Sequence, residues 1–357
     1  MPARPHKGRG AVSRRDGRFE TRPFELDHEE AAQRAEAPPE TTLTAMTAGR
    51  IISHNTSPDV PFDRSINPYQ GCEHGCVYCY ARPSHSYLDL SPGLDFETRI
   101  FYKPNAASRL LDAWERPGYE CSPITIGANT DPYQPAEKGL RVTRQLLDLF
   151  QKHRHPVSVI TKGTLILRDL DILADLAERR LCSVAISLPT LDAGLKRIME
   201  PRVPSAEARL RAVEALSSSG IPTSVLVAPL IPAINDAEIE KILEAAAAAG
   251  AHQAHYIFLR LPHEVKDLFA EWLEAHFPDR SARVMSLVRQ ASGGRDYDNR
   301  FGHRQTGHGP YADMLGSRFR KACRRFGLEG ERYQQALDCK QFRTPGQPQL
   351  GLDLGYS

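Results

Sequence analysis

From about residue 60 onward, short apolar runs alternate with helical stretches, and this alternation predicts an α/β fold built on a parallel sheet. Gly220 and Gly250 stand where helices should stop, which sharpens the element boundaries. Right-handed βαβ crossovers would wind such units into an open barrel. At 357 residues and 41% hydrophobic content the chain can bury one large core and carry appendages.

Residues 1–50 hold Arg4, Lys7, Arg9, Arg14, Arg15, Arg18 and Arg22, then a Glu/Ala/Thr-rich stretch over 29–48. With few large apolar groups this segment is expected to be disordered or loosely docked, a solvated tail rather than a nucleic-acid-binding arm. Strands are expected at 65–69, 123–128, 157–161, 183–188, 223–228 and 255–259, within a barrel domain spanning 60–262. Helices are expected between them at 106–114, 140–153, 169–179, 206–218 and 236–249. In the last of these Ile239, Ile242, Leu243 and Ala246 repeat with a helical period. A mainly helical extension follows over 263–340, with helices at 264–277 and 281–290 and a loop at 293–304 that mixes glycines with arginines and aromatics. That composition suits closure over a substrate or stacking on a nucleotide. The next helix carries Arg318, Arg320, Lys321, Arg324 and Arg325, either a phosphate-tracking face or an exposed cap on the barrel's open side.

Net charge is only +2, so no global field demands a polyanionic partner. Seven cysteines with no evident signal peptide argue against a disulfide framework and for a reducing, cytoplasmic compartment. No run approaches the roughly 18 apolar residues of a membrane span.

Three of those cysteines, Cys72, Cys76 and Cys79, fall in Gly71-Cys72-Glu73-His74-Gly75-Cys76-Val77-Tyr78-Cys79-Tyr80. A structural Zn2+ site wants four closed ligands, whereas a four-iron cluster on three cysteines leaves one iron free for chemistry. A Zn2+ site completed by His74 or a remote ligand, and a trio of inert thiols, are the competing readings. The Cys-x3-Cys-x2-Cys spacing, with Tyr78 before the last cysteine, resembles the cluster loop of the radical S-adenosylmethionine (radical SAM) superfamily. The resemblance implies a partial (β/α)6, TIM-like barrel and a 4Fe-4S cluster whose unique iron is chelated by S-adenosylmethionine. It also implies an electron donor of flavodoxin or ferredoxin type, and a 5'-deoxyadenosyl radical that takes hydrogen from a substrate.

Active sites of α/β barrels lie at the carboxyl ends of the strands. Asn129, Thr130 and Asp131 follow the second strand, where the family contacts the methionine amino group, although the usual Gly-Gly-Glu is absent. Asx-type capping of the turn before Pro132 is the alternative. Lys162, directly after the apolar third strand, leaves an ammonium that an anion would compensate, and the methionyl carboxylate is the natural counter-ion. Ser187 resembles the family's ribose-contacting hydroxyl, and Arg202 in Met199-Glu200-Pro201-Arg202 its carboxylate- or ribose-facing arginine, unless it pairs with a nearby acid. The segment 228–232 offers an apolar wall suited to adenine.

Asn67-Pro68-Tyr69, the cysteine loop, Thr161-Lys162-Gly163 and Glu200-Pro201-Arg202 together resemble the spore photoproduct lyase-like branch over about residues 60–340. Aligned on its polar pair, Ala128 stands where the lyase carries a hydrogen-donating cysteine, so lyase chemistry is not inherited by analogy. Cys121, Cys182, Cys323 and Cys339, with Tyr80, Tyr133 and Tyr256, are other candidates for handling hydrogen, each also explicable as packing.

Residues 341–357 are expected to be a flexible tail. Gln349-Leu350-Gly351-Leu352-Asp353-Leu354 resembles the peptide by which bacterial proteins dock on the DNA polymerase sliding clamp. The favoured reading is a radical SAM enzyme in a nucleic-acid or DNA-repair setting. A radical SAM enzyme acting on a peptide or metabolite, and a non-catalytic Fe-S or Zn2+ module binding nucleic acid, are the alternatives.

Overall fold

A computed structural model describes residues 5–19, 40–329 and 337–346. The clamp-like peptide, Gln349 to Leu354, lies outside the described residues.

Among the described residues ten strands form two sheets: β1 (Thr42–Ala45), β2 (Ile52–His54), β3 (Arg64–Ile66), β4 (Tyr69–Gln70), β5 (Arg99–Tyr102), β6 (Ile124–Ile126), β7 (Val157–Thr161), β8 (Cys182–Ser187), β9 (Thr223–Leu230) and β10 (Gln253–Phe258). The larger sheet runs β10-β9-β8-β7-β6-β3-β2. Six of its strands are parallel and lie in chain order, and β2 adds antiparallel to β3 at the edge. Since β2 and β10 end the order and do not pair, the sheet is a partial (β/α)6 barrel, as the alternation predicts.

Helices connect the strands: α1 (Leu94–Thr98), α2 (Ala106–Trp114), α3 (Glu137–Leu140), α4 (Val142–His153), α5 (Leu170–Glu178), α6 (Ala193–Met199), α7 (Ala206–Ser218) and α8 (Ile239–Ala248). After β10 come α9 (Val265–His276), α10 (Pro278–Ala291) and α11 (Pro310–Phe326), and α11 packs on α8 and β10. Helix starts follow local chemistry. Asp192 caps α6 by accepting from Leu195 N at 2.7 Å, and Ser205 caps α7 by accepting from Ala208 N at 3.2 Å. On α7 the buried residues Ala206, Arg209, Ala212, Val213 and Leu216 recur every three or four positions, so an arginine occupies the apolar stripe.

The small sheet, β1-β5-β4, has no counterpart in the sequence reading. β1 is exposed throughout and β4 has two residues, so neither carries the apolar signature of a strand.

The described part of the amino-terminal segment is not loosely docked. Ala11 and Val12 are 0% and 3% exposed, and the N–H groups of Gly10 and Ala11 donate to the Glu97 carboxylate at 3.0 and 2.8 Å. Glycine is required at position 10, because a Cβ there would stand 1.8 Å from Gly75 O. The basic residues pair within the chain, Arg15 with Glu271 and Arg18 with Glu264, both at 2.7 Å. Their charge is spent on the fold, where composition suggested a solvated tail.

Candidate active site

β3 runs through Asn67 and Pro68 into β4, and the cysteine loop follows at once. Tight turns shape it: Gly75 N donates to Cys72 O at 3.3 Å and Cys79 N to Cys76 O at 3.2 Å. Gln134, fully buried, clamps the loop from outside by accepting from Glu73 N at 2.9 Å and donating to Gly71 O at 3.2 Å. Beneath the loop lies an ion pair with no exposure, Arg82 with Glu97 at 2.5 Å. Arg82 also donates to Cys76 O, Pro92 O and Gly93 O, so its donors are shared among fixed acceptors. Gly75, at φ +66°, approaches Glu97 so closely that a Cβ would lie 2.6 Å from its carboxylate.

The three thiols line one cavity of about 180 Å3 at the carboxyl ends of β6 to β10. Burial pushes all three thiols above the ordinary cysteine pKa. Buried thiols that resist ionisation when alone are a donor set that a cationic metal group would stabilise. Among the described residues no group of three or more His, Cys, Asp or Glu side chains is gathered to hold a single metal ion.

Opposite the thiols, Lys162 Nζ donates to Ser187 Oγ and stands 3.3 Å from Glu200 Oε1. Tyr78 OH donates to the same Glu200 oxygen, and Arg209 Nη2 lies 3.0 Å from the other. Burial works to raise the Glu200 pKa, but Arg209, Lys162 and Tyr78 outweigh it and hold the carboxyl below its ordinary value. Arg209 also donates to Ser187 O at 2.8 Å, tying α7 to the end of β8. Lys162 and Ser187 thus meet in the cavity wall, on a buried carboxylate that sequence reasoning passed over in favour of Arg202. The arginine in the apolar stripe of α7 was the available signal, since a buried guanidinium needs a buried acid.

The residues after β6 divide. Asn129 is exposed and lines the cavity. Thr130 is buried, absent from the lining, and spends its hydroxyl on Tyr69 O at 2.7 Å. Asp131 lines the cavity, but its carboxylate already accepts from Thr161 Oγ1 at 2.6 Å, Lys162 N at 2.7 Å and Tyr133 N at 2.9 Å, and His74 Nδ1 lies 3.3 Å away. Burial opposes ionisation of Asp131, yet His74, Thr161 and the Lys162 amide keep its pKa below the usual value. Asp131, accepting from Tyr133 N two residues on, forms an Asx-type turn and also orients Lys162, whereas Thr130 ties the turn to β4.

Arg202 does not reach the cavity: it pairs with Glu73 at 3.2 Å outside it. Tyr133 is buried away from the cavity with its hydroxyl on Asp169 at 3.0 Å. Cys121 precedes β6, at the amino-terminal end of the barrel, next to Cys339. Neither lies where a cavity radical would be met. Tyr80 does line the cavity, and its hydroxyl donates to Ala128 O. Arg260, unremarked in the sequence, lies between two tyrosines, its Cζ 4.9 Å from the Tyr80 ring centroid and 5.9 Å from that of Tyr297, whose hydroxyl accepts from Arg260 Nη2 at 3.2 Å. Its Nε is buried without a hydrogen-bond partner.

Residues 66–246 match the radical SAM superfamily. The chain belongs to that superfamily. Among its relatives are an uncharacterized protein of Mycobacterium tuberculosis, 36% identical over 65% of this chain and 68% of the relative, and one of Methanocaldococcus jannaschii, 27% identical over 60% and 76%. Solved structures similar in fold include a spore photoproduct lyase mutant with bound AdoMet and dinucleoside spore photoproduct, with TM-score 0.58, 16% identity, and 87% of this chain and 86% of that one covered. Another lyase mutant aligns at TM-score 0.57 and 16% identity over the same shares. At this identity the likeness concerns the fold. Radical SAM membership makes the chain an enzyme that uses a 4Fe-4S cluster and S-adenosylmethionine and needs a reductant such as flavodoxin or ferredoxin. No helix among the described residues is long and apolar enough to cross a membrane.

Proposed function

We propose that Cys72, Cys76 and Cys79 hold the cluster, that Lys162 and Ser187 hold S-adenosylmethionine together with Asn129, and that the substrate is a nucleic acid. The observation that carries the cofactor assignment is the meeting of the three cysteines and Lys162 around one cavity. Bound there, the cluster and S-adenosylmethionine supply the one-electron chemistry that removes a hydrogen atom from a substrate. The chain's own residues orient and enclose. The Lys162 ammonium, positioned by Ser187 and Glu200, offers a counter-charge to a carboxylate. Ala128, Pro229 and Leu226 supply apolar wall against a purine, excluding water from the reacting edge.

A nucleobase-bearing substrate is supported by the Tyr80–Arg260–Tyr297 cluster, which presents aromatic faces and the unpartnered Arg260 Nε beside the cavity. The fold shared with a lyase solved with a dinucleoside lesion points the same way. Ala128 has no thiol to return a hydrogen, so Tyr80, in the cavity wall and bonded to Ala128 O, is the candidate relay. A reducing cytoplasmic setting, and recruitment to DNA through Gln349 to Leu354, complete the reading. The test is anaerobic turnover with deuterated oligodeoxynucleotides, following deuterium into 5'-deoxyadenosine. Transfer from DNA is expected; deuterium arriving only from a peptide or metabolite would overturn the nucleic-acid assignment.

A further inference from the structure

The barrel is hollow below the cavity just described. Interiors of α/β barrels are ordinarily filled by layers of bulky branched side chains. Here Ser158, Ser183, Ala185 and Ser224 stand on β7, β8 and β9, register-paired as Ser158 with Ser183 and Ala185 with Ser224. With His255 of β10 they bound a chamber of about 590 Å3, covered on the barrel's open side by α11 and the loop carrying Gln305. Ile160, Leu226 and Ile257 line both this chamber and the cysteine cavity, so one apolar layer separates the two.

The polar groups in the chamber wall are unevenly matched. Its carboxylates already have cations: Asp59 pairs with Arg304 at 2.5 Å and Glu329 with Arg324 at 3.5 Å. Arg320, also in the wall, has no carboxylate partner among the described residues. It converges with Tyr256: a Cβ on Gly316 would lie 2.9 Å from the Tyr256 hydroxyl and 3.3 Å from Arg320 Nη1. Gln305 Oε1 is buried without a partner. Ser158 Oγ is shared with Thr125 Oγ1 at 2.8 Å and Ser224 Oγ donates to Val184 O at 3.4 Å, which leaves Ser224 able to accept and Ser183 able to donate; with the Arg320 guanidinium and the unmatched amide oxygen they suit an anion that also carries hydroxyl groups.

We propose that this chamber is a second small-molecule site, separate from the radical chemistry, for a hydroxylated anion such as a sugar phosphate or hydroxy acid. Arg320 is its counter-ion, and Ser183, Ser224 and Gln305 meet its hydroxyls. Calorimetric titration of the full-length, cluster-reconstituted protein with inorganic phosphate, glycerol phosphate and tartrate tests the site and separates phosphate from carboxylate. One hydroxylated anion is expected to bind saturably and more tightly than inorganic phosphate. Arg320→Gln is expected to weaken that binding about tenfold or more, with S-adenosylmethionine affinity unchanged. Ser224→Leu, which fills the space, is expected to abolish it; should that variant fail to fold, the exposed Arg320 still decides. Absence of saturable binding by all three probes at millimolar concentration, or binding indifferent to Arg320→Gln, would overturn the proposal.

Discussion

Lys162 shows how a single side chain becomes chemically specific. An ammonium after an apolar strand is legible in sequence; that it rests on Ser187 and shares Glu200 with Tyr78 and Arg209 is not, because α6, α7 and β8 bring those groups from as far as residue 209. Lys162→Met is expected to weaken S-adenosylmethionine binding by about 10- to 100-fold, read by equilibrium binding to reconstituted protein. Cys76→Ala should abolish both cluster absorbance and S-adenosylmethionine cleavage while circular dichroism stays unchanged; retained cleavage would remove Cys76 from the ligand set. The three cysteines were legible because they lie within eight residues of chain. Two neighbours of one motif face apart: Glu200 turns inward to two cations, and Arg202 turns outward to Glu73.

Among the elements, the cluster loop depends on parts that composition marked as peripheral. Arg82 and Glu97 pair at 0% exposure, and Glu97 receives the N–H groups of Gly10 and Ala11, so the amino-terminal segment, the loop and α1 share one carboxylate. Glu97→Ala leaves the Arg82 guanidinium buried and unpaired. It is expected to destabilise the protein by about 3–5 kcal/mol in urea unfolding, more than any exposed pair such as Arg211–Glu207. A loss near zero would mean that the loop holds itself. The barrel elements were predicted to within a few residues because apolar periodicity and glycine stops are local signals; β1 escaped because it is exposed throughout, and β4 because two residues are too few to show a pattern.

For the molecule as a whole, two buried histidines set an acid limit. Desolvation lowers His85 to about 4 and His155 to about 3. The neutral ring of His155 is fully used: Nδ1–H donates to Pro156 O at 3.0 Å, Nε2 accepts from Tyr119 OH at 2.8 Å, and the ring stacks on Trp114 at 4.8 Å. With folded pKa values below the ordinary 6.5, the unfolded chain binds more protons between those limits. Stability is therefore full above about pH 6.5 and falls as pH drops toward 4, by up to roughly 1.4 kcal/mol per pH unit for each histidine. Urea midpoints at pH 7.5 and 5.0 check this, and His155→Phe should flatten the slope; a midpoint unchanged by pH would refute the assignment. The sequence by itself determined the α/β class, the order of the barrel strands and the three closely spaced cysteines proposed as cluster ligands, since each is written in short-range spacing. Only the tertiary structure decided which carboxylate steadies Lys162, that the amino-terminal segment braces the cysteine loop, and that serines leave the barrel hollow. Those depend on which distant residues share a buried volume, and burial is a property of the folded chain.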